Sequence, residues 1–290
     1  MSDVVYLRNE RYADGVFIAR EAAAVSPDDR GFVFADGVYE VVRAYGARLF
    51  LFEEHMARLR RSLDEARIAL TDLDWVEPTM IELIDRSLPG VDEAVVYLQI
   101  TRGTAPRSHP FPDPSVPPSL YLSAAAVPDV TAARADGLSV ITTEDLRWAR
   151  CDIKAIGLMA NVLAIQIARE RGAREAVLVR DGYVTEGTHT TFFGVLDGVV
   201  RTHPLNQRIL AGITRGGVLE DCRAAGIAVR EEPIAASDLP RLEEAFLTAT
   251  SYEVAPIVRI DDRPVADGRP GPLTRRLQGL WRERVARALG

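Results

Sequence analysis

The stretch RWARCDIKAIGLMANVLA (residues 147–164) contains Lys154, the one lysine among the 35 lysine and arginine residues of the chain. Arginine replaces lysine wherever only a solvated positive charge is needed, but a guanidinium stays protonated and cannot form an imine. Lys154 is therefore a candidate for covalent chemistry with a carbonyl group. The alternative is a leftover surface lysine in an arginine-rich protein, and the neighbouring residues have to decide between the two.

The surroundings of Lys154 favour a functional role. The segment is predicted to lie between a strand and the start of a helix, and such segment ends often carry catalytic side chains. The apolar neighbours Ile153, Ile156 and Leu158 predict partial burial. Because burial disfavours the ammonium form, it favours the neutral amine that can attack an aldehyde.

The composition is that of a soluble globular protein, and it makes a metal site improbable. At 290 residues, with 47% hydrophobic and 27% charged residues, the chain has room for two domains. The net charge of −7 disfavours nucleic-acid binding, and no apolar run reaches the roughly 18 residues of a membrane span. The N-terminus lacks the pattern of a signal peptide, so we predict a cytoplasmic protein. Two cysteines and four scattered histidines indicate no metal site.

The order of predicted elements indicates a two-domain α+β fold with a cleft between the domains. Six prolines in residues 104–118 exclude a helix interior or a central strand, so this segment is predicted to be a loop. We predict an N-terminal domain over 1–126, a linker over 127–136 and a C-terminal domain over 137–290. Predicted strands are 4–7, 16–19, 38–45, 49–52, 93–103, 119–126, 138–143, 176–180 and 192–196, and predicted helices are 53–68, 75–88, 161–171, 213–225 and 272–289.

Glu186 lies in a polar run, VTEGTHTT (residues 184–191), that leads into an apolar strand. One interpretation is a turn whose hydroxyls cap the backbone. The other is a carboxylate held against the ring nitrogen of a cofactor. A pyridine nitrogen paired with a carboxylate stays protonated, which makes the ring an electron sink.

Two further clusters are candidates for binding anions. Gly212, Ile213 and Thr214 begin a predicted helix, whose free N–H groups and dipole favour a phosphate, and Arg58 could add a charge. Arg107 and His109, on the proline-rich loop, are suited to a carboxylate, as is the phenol of Tyr39. Each residue also has an ordinary alternative as a helix start, a surface charge or a packed tyrosine.

Taken together, the chain resembles the fold-type IV pyridoxal-phosphate enzymes, the class IV aminotransferases, and within them the bacterial D-amino-acid aminotransferases. Seven segments carry the resemblance in family order over nearly the whole chain. They are DRGFVFADGVYEVV (29–42), EEHMARLRRS (53–62), TRGTAPRSHPFP (101–112), EDLRWARCDIK (144–154), VTEGT (184–188), LAGITR (210–215) and FLTATSYEVAPI (246–257).

The resemblance implies that the C-terminal domain over 137–290 binds the cofactor and that the cofactor lies in the cleft between the domains. It also implies a role for each matching residue. Lys154 holds pyridoxal 5′-phosphate as an internal aldimine, a Schiff base, and shuttles the proton, while Glu186 pairs with the pyridine nitrogen. A further set binds the cofactor: Arg58, Ile213, Thr214 and Thr250 at the phosphate, and Leu210 against the ring. The substrate carboxylate is bound by Tyr39, Arg107 and His109, the last two from the neighbouring subunit of a homodimer.

The implied reaction is transamination between a D-amino acid, such as D-alanine, and a 2-oxo acid, such as 2-oxoglutarate. Two departures bear on it. Thr188–Thr191 replaces a serine-rich run that ends in Asn, and Ala249 replaces a common hydroxyl residue. The alternatives are a branched-chain L-amino-acid or amine transaminase, an aminodeoxychorismate-type lyase on the same fold, and a non-catalytic binding protein. The Arg107 and His109 pair disfavours both of the other transaminases.

Overall fold

The computed structural model describes residues 3–46 and 48–290, which divide into two compact units. The first unit runs to Val127 and also contains Ile153–Gly157. The second comprises Pro128–Asp152 and Leu158–Gly290. Lys154 therefore belongs to the first unit, although it follows the predicted linker in the chain. The predicted domain boundaries stay predictions.

The first unit is built on an antiparallel sheet, and its two longer helices pack against one face of the sheet. The strand order is β2-β1-β6-β5-β3-β4. The strands are β1 (Val4–Asn9), β2 (Tyr12–Ala19), β3 (Gly37–Tyr45), β4 (Arg48–Leu49), β5 (Glu93–Thr101) and β6 (Ser119–Ala126), and the helices are α1 (Arg30–Phe34), α2 (Phe52–Ala66) and α3 (Val76–Ser87).

The side chains along β3 alternate between the apolar core and the opposite face of the sheet. Val38 and Val42 are buried together with Leu59 and Leu63 of α2. A buried side chain of this size stabilises the fold by about 2 kcal/mol. Because successive side chains of a strand point to opposite faces, Tyr39 lies on the other side of the sheet.

The segment that carries Lys154 is hydrogen-bonded to β3. The Tyr39 N–H donates to the Lys154 carbonyl at 3.0 Å, and the Ile156 N–H donates to the Gly37 carbonyl at 3.1 Å. The approach requires glycine at position 37, because a Cβ there would lie 2.6 Å from the Ile100 carbonyl oxygen and 2.9 Å from the Ile156 side chain. Ser62 of α2 accepts the Lys154 N–H through its hydroxyl at 3.2 Å.

The second unit contains a mixed sheet of order β12-β11-β10-β13-β14-β7-β8-β9, and β15 pairs with β14. Its strands are β7 (Leu138–Glu144), β8 (Glu175–Arg180), β9 (Tyr183–Gly187), β10 (Thr191–Leu196), β11 (Val199–Thr202), β12 (Val229–Glu231), β13 (Glu244–Ala249), β14 (Glu253–Ile260) and β15 (Arg263–Pro264). The helices are α4 (Thr131–Asp136), α5 (Met159–Glu170), α6 (Ile213–Ala224) and α7 (Pro272–Leu289). Phe192, Leu247 and Ala255 are central to the core.

Most predicted elements are confirmed, and three regions differ. Helix α7 and strand β6 have the predicted bounds. The predicted strand 49–52 is wrong beyond Leu49, because α2 begins at Phe52. Tyr183–Gly187 forms a strand that was not predicted, and the predicted linker contains α4. Among the described helices, none combines the length and the apolar character that a membrane crossing needs.

Candidate active site

Lys154 lies among aromatic rings on the polar face of the first sheet. Its Nζ is 4.2 Å from the centroid of the Tyr39 ring, and the Tyr39 and Tyr97 rings are 5.6 Å apart. Burial, with Tyr39 and Tyr121 nearby, raises the pKa of Tyr97 to about 12. Tyr97 therefore stays a neutral phenol at physiological pH. The half-buried Lys154 amine thus lies against the face of the Tyr39 ring.

Arg58 is held in one orientation by a buried carboxylate. Glu40 of β3 is 0% exposed, and Arg58 of α2 donates to its two oxygens at 2.8 and 2.7 Å. This two-point pairing fixes the plane of the guanidinium. Burial alone would raise the pKa of Glu40, but Arg58 and His55 lower it well below its usual range.

His55 completes this group, with Nδ1 2.8 Å from Glu40 Oε2. Burial lowers the pKa of His55, although Glu40 opposes the shift. The neutral ring therefore donates its Nδ1–H to Glu40. Arg58, which is predicted to bind the phosphate, is thus a cation whose orientation is fixed by buried Glu40, and Glu40 is in turn hydrogen-bonded to buried His55.

Arg107 and His109 lie on the exposed loop between β5 and β6, also in the first unit. The Arg107 guanidinium is 5.2 Å from the centroid of the Phe34 ring, and the His109 ring is 5.5 Å from it. The structure therefore brings these two predicted residues together around Phe34. Tyr39, the third residue predicted to bind the substrate carboxylate, packs its ring against Tyr97 and not against Phe34.

Glu186 of β9 is a buried carboxylate in the second unit, 5% exposed. Arg147 forms an ion pair with it, and the Leu210 N–H lies 3.2 Å from both of its oxygens. Burial raises the pKa of Glu186, while Arg147 and the Leu210 N–H oppose this rise. Arg147 also donates two hydrogen bonds of 2.9 Å to Asp145. Glu186 therefore shares its cation with a second carboxylate.

The start of α6 has the features of an anion site. Gly212 precedes Ile213 and Thr214, and the first N–H groups of a helix have no partner within the helix. A Cβ at Gly212 would lie 2.7 Å from Thr191 Oγ1, so glycine keeps this space open. Thr248, which pairs with Thr191 across β10 and β13, has a buried hydroxyl without a hydrogen-bond partner among residues 3–46 and 48–290.

The run that departs from the family pattern is organised by another carboxylate. Glu175 is 0% exposed and accepts hydrogen bonds from the hydroxyls of Thr188 and Thr190. His189 Nδ1 lies 3.0 Å from Glu175 Oε2. The threonine and histidine side chains at these positions thus form one hydrogen-bonded turn after Glu186.

Several of these residues were not predicted from the sequence. Glu40, His55 and Ser62 orient predicted residues in the first unit, and Asp145 and Arg147 do so in the second. The EDLRWARCDIK segment contains Arg147 but does not say which of many arginines pairs with Glu186. A buried glutamate requires a cationic or hydrogen-bond-donating partner, so the sequence could indicate that Glu186 has such a partner but not which residue it is.

These features fit a pyridoxal-phosphate enzyme built from two α+β units. The first unit holds an amine and an oriented guanidinium. The second holds a buried carboxylate and, beside the Thr248 hydroxyl, an open helix start of the kind that binds phosphate. Each unit, taken by itself, thus holds groups of the kinds that this cofactor requires.

The chain belongs to the class IV aminotransferases, because the family described as "Amino-transferase class IV" matches residues 37–260. It is 40% identical to a D-alanine aminotransferase of Staphylococcus epidermidis, over 92% of this chain and 94% of that protein. A D-alanine aminotransferase of Bacillus licheniformis is 39% identical over 91% and 93%.

Solved structures show the same fold. The T.th. branched-chain amino acid aminotransferase complexed with N-(5'-phosphopyridoxyl)-L-glutamate has a TM-score of 0.84 at 26% identity, covering 98% of this chain and 94% of that chain. The Escherichia coli branched-chain enzyme has a TM-score of 0.86 at 24% identity, covering 96% and 93%. The predicted family, α+β fold and aminotransferase activity are confirmed, and pyridoxal 5′-phosphate is the cofactor.

Proposed function

We propose that this enzyme transfers an amino group from a D-amino acid, such as D-alanine, to a 2-oxo acid, such as 2-oxoglutarate. The observation that carries the proposal is the pairing of Arg107 and His109 on one exposed loop. Two donors side by side suit a substrate carboxylate. The D-alanine aminotransferases at 39–40% identity support this substrate class.

The residues divide the chemistry between them. When bound, pyridoxal phosphate supplies a carbon for imine exchange and a protonated ring that accepts the electron pair from the substrate Cα. The Lys154 amine would remove the Cα proton and would deliver a proton to the cofactor carbon on the same face. Glu186 holds the proton at the ring nitrogen, and Leu210 packs against the ring.

Binding is assigned to two groups of residues. Arg58, the start of α6 at Ile213 and Thr214, and the Thr250 region hold the phosphate. Tyr39, Arg107 and His109 bind the substrate carboxylate. Stereospecificity follows, because with the carboxylate held in place the single Cα hydrogen faces Lys154 in one enantiomer and points away from it in the other.

A homodimer is part of the proposal, with Arg107 and His109 serving the site of the neighbouring subunit. Helix α5 supports a partner surface, because Met159, Val162, Leu163 and Ile167 lie on one helical face and are 73%, 56%, 57% and 37% exposed. An apolar face of this kind is typical of subunit contacts. We place the enzyme in the cytoplasm, where the free thiols of Cys151 and Cys222 would stay reduced.

Substrate selectivity tests the proposed reaction. The holoenzyme should convert D-alanine far faster than L-leucine or a simple chiral amine. Arg107→Ala should raise the KM for D-alanine by about 100-fold, because a charge-assisted pair to the carboxylate is lost. Preference for L-leucine would replace this proposal with the branched-chain alternative.

Borohydride reduction tests Lys154 separately. Lys154 carries the one side-chain amine of the sequence, so reduction followed by peptide mapping has a single expected lysine product. We expect a pyridoxyl mass on the peptide that contains Lys154. An unmodified Lys154 peptide from fully loaded enzyme would contradict the covalent role.

A further inference from the structure

Arg30 links α1 to the backbone of the loop that carries Arg107 and His109. Arg30 is 4% exposed and begins α1. Its Nη1 donates to the Ser108 carbonyl at 2.6 Å and to the Pro110 carbonyl at 3.4 Å, and its Nη2 donates to the His109 carbonyl at 3.4 Å. One guanidinium therefore contacts three successive peptide units of an otherwise exposed loop.

The guanidinium of Arg30 is itself held from the other side. Its Nε donates to Asp36 at 2.8 Å, and Arg102 donates to both oxygens of the same carboxylate at 2.8 and 2.9 Å. Arg102 also donates to the Ala66 and Arg67 carbonyls at 2.7 Å, where α2 ends. A continuous series of charge-assisted hydrogen bonds thus joins the end of α2 to the loop.

This geometry has a consequence for the two side chains on the loop. Loop backbone that faces solvent has many accessible conformations, and ordering it at the moment of binding would cost affinity. The planar fork of arginine, with donors in fixed directions, can hold several carbonyls at once, whereas an ammonium is a compact point charge. Arg30 thereby fixes the backbone directly on both sides of the His109 Cα.

We infer that Arg30 is a positioning residue that preorganises Arg107 and His109 for the substrate carboxylate. The inference rests on the proposed function, in which these two residues bind that carboxylate. Arg30 does not touch the substrate in this scheme. Its loss should therefore affect the binding of carboxylates more than the chemical step.

The test uses Arg30→Gln and Arg30→Lys in the holoenzyme, beside Arg107→Ala. We expect Arg30→Gln to raise the KM for D-alanine by about tenfold with a smaller change in kcat, because the binding groups are displaced rather than removed. Arg30→Lys should give an intermediate KM, since it keeps the charge beside Asp36 but loses the fork. Calorimetry with propionate, which has a carboxylate and no amine, should show the same order of Kd.

Arg284→Gln is the matched control for losing an ion-paired arginine. Arg284 lies in the second unit and donates to Asp221 at 2.9 Å. It should leave both the KM for D-alanine and the Kd for propionate unchanged. Thermal unfolding of every variant separates altered binding from a general loss of structure, and if Arg30→Gln fails to fold, Arg30→Lys decides the question.

The outcomes separate the inference from the proposed function. If Arg107→Ala weakens propionate and D-alanine binding and the Arg30 variants do so to a smaller extent, the positioning role is supported. If Arg107→Ala has this effect and the folded Arg30 variants keep both constants at the wild-type value, the inference is overturned and the proposed function stands. If Arg107→Ala itself changes neither constant, the carboxylate assignment fails and the inference fails with it.

Discussion

Two buried carboxylates, Glu40 in the first unit and Glu186 in the second, are each paired with an arginine and yet differ in their acid–base behaviour. Glu40 accepts two hydrogen bonds from Arg58 and a third from His55, and its pKa is lowered. Glu186 shares Arg147 with Asp145, and burial raises its pKa.

The difference shows that burial and an ion pair do not by themselves determine a role. A carboxylate saturated by two partners stays ionised and orients its cation, here Arg58. A carboxylate that shares one cation with a second carboxylate gains less ion-pair energy to offset its desolvation. Glu186 is therefore suited to share a proton with a ring nitrogen, and Glu40 is suited to hold another side chain in place.

The largest expected effect is that of Glu186→Gln on the chemical step. The amide keeps the size of the side chain but cannot stabilise a protonated ring nitrogen, so we expect kcat to fall by about a thousandfold. Single-turnover absorbance measurements with D-alanine would measure this. Glu40→Gln is the matched control, and its kcat should fall by less than about tenfold. Equal losses in the two variants would contradict the division of roles.

Glu40→Gln should instead destabilise the protein and weaken cofactor binding. The substitution leaves the buried Arg58 without its carboxylate, which costs about 3 kcal/mol in the free energy of unfolding. The Kd for pyridoxal phosphate should rise about tenfold, because Arg58 loses its fixed orientation. Urea unfolding of the apoenzyme and a fluorescence titration measure the two quantities. A Kd for pyridoxal phosphate equal to that of the wild type would show that Arg58 does not bind the phosphate.

Arg147→Lys should lower kcat by much less than Glu186→Gln does. Lysine keeps a positive charge near Glu186, but it cannot donate to Glu186 and Asp145 through a planar fork. We expect kcat to fall by about tenfold while the KM for D-alanine stays within about twofold of the wild-type value. Steady-state kinetics at saturating 2-oxoglutarate provide both constants. A change confined to KM would place Arg147 in substrate binding instead.

The smallest expected effect is an opposite pH dependence of stability at the two carboxylates. The pKa of Glu40 is lower in the folded state, so its stabilisation is present above the unfolded pKa of about 4.3 and is lost as the pH falls through the folded value. The pKa of Glu186 is raised, so its contribution is present below about pH 4.3 and is lost as the pH rises through the folded value.

Urea unfolding of the apoenzyme from pH 4 to 8 checks this difference. Subtracting the curve of Glu40→Gln from that of the wild type should leave a stabilisation that weakens only at the acidic end. Subtracting the curve of Glu186→Gln should leave a term that becomes less favourable toward neutral pH. Two difference curves with the same slope would show that the carboxylates titrate alike.

Several parts of the fold and site were accessible from sequence for local reasons. Helix α7 was predicted within its observed bounds because its apolar residues recur at helical spacing, and β6 because its apolar run follows a proline-rich segment. Lys154 was identified by the chemistry of its amine. The start of α6 at Gly212 was predicted because glycine precedes a helical pattern.

Other parts required information that is not local. Strand β9 was not predicted, because the hydroxyl residues of this run also favour a turn, whereas pairing with β8 decides the conformation of Tyr183–Gly187. The membership of Lys154 in the first unit depends on backbone hydrogen bonds with Gly37 and Tyr39, which lie more than a hundred residues away. The position of Arg30 against the loop is another long-range contact of this kind.

The sequence by itself determined which chemical groups are available: one amine, the carboxylate of Glu186, a helix start suited to phosphate and a cationic loop. Residue type and local spacing are sufficient for this, because reactivity and periodicity are local properties. Only the tertiary structure decided how these groups are tuned and held. The pKa of Glu186 and the orientation of Arg58 depend on burial and on charges from distant segments, and a linear pattern does not specify those distances.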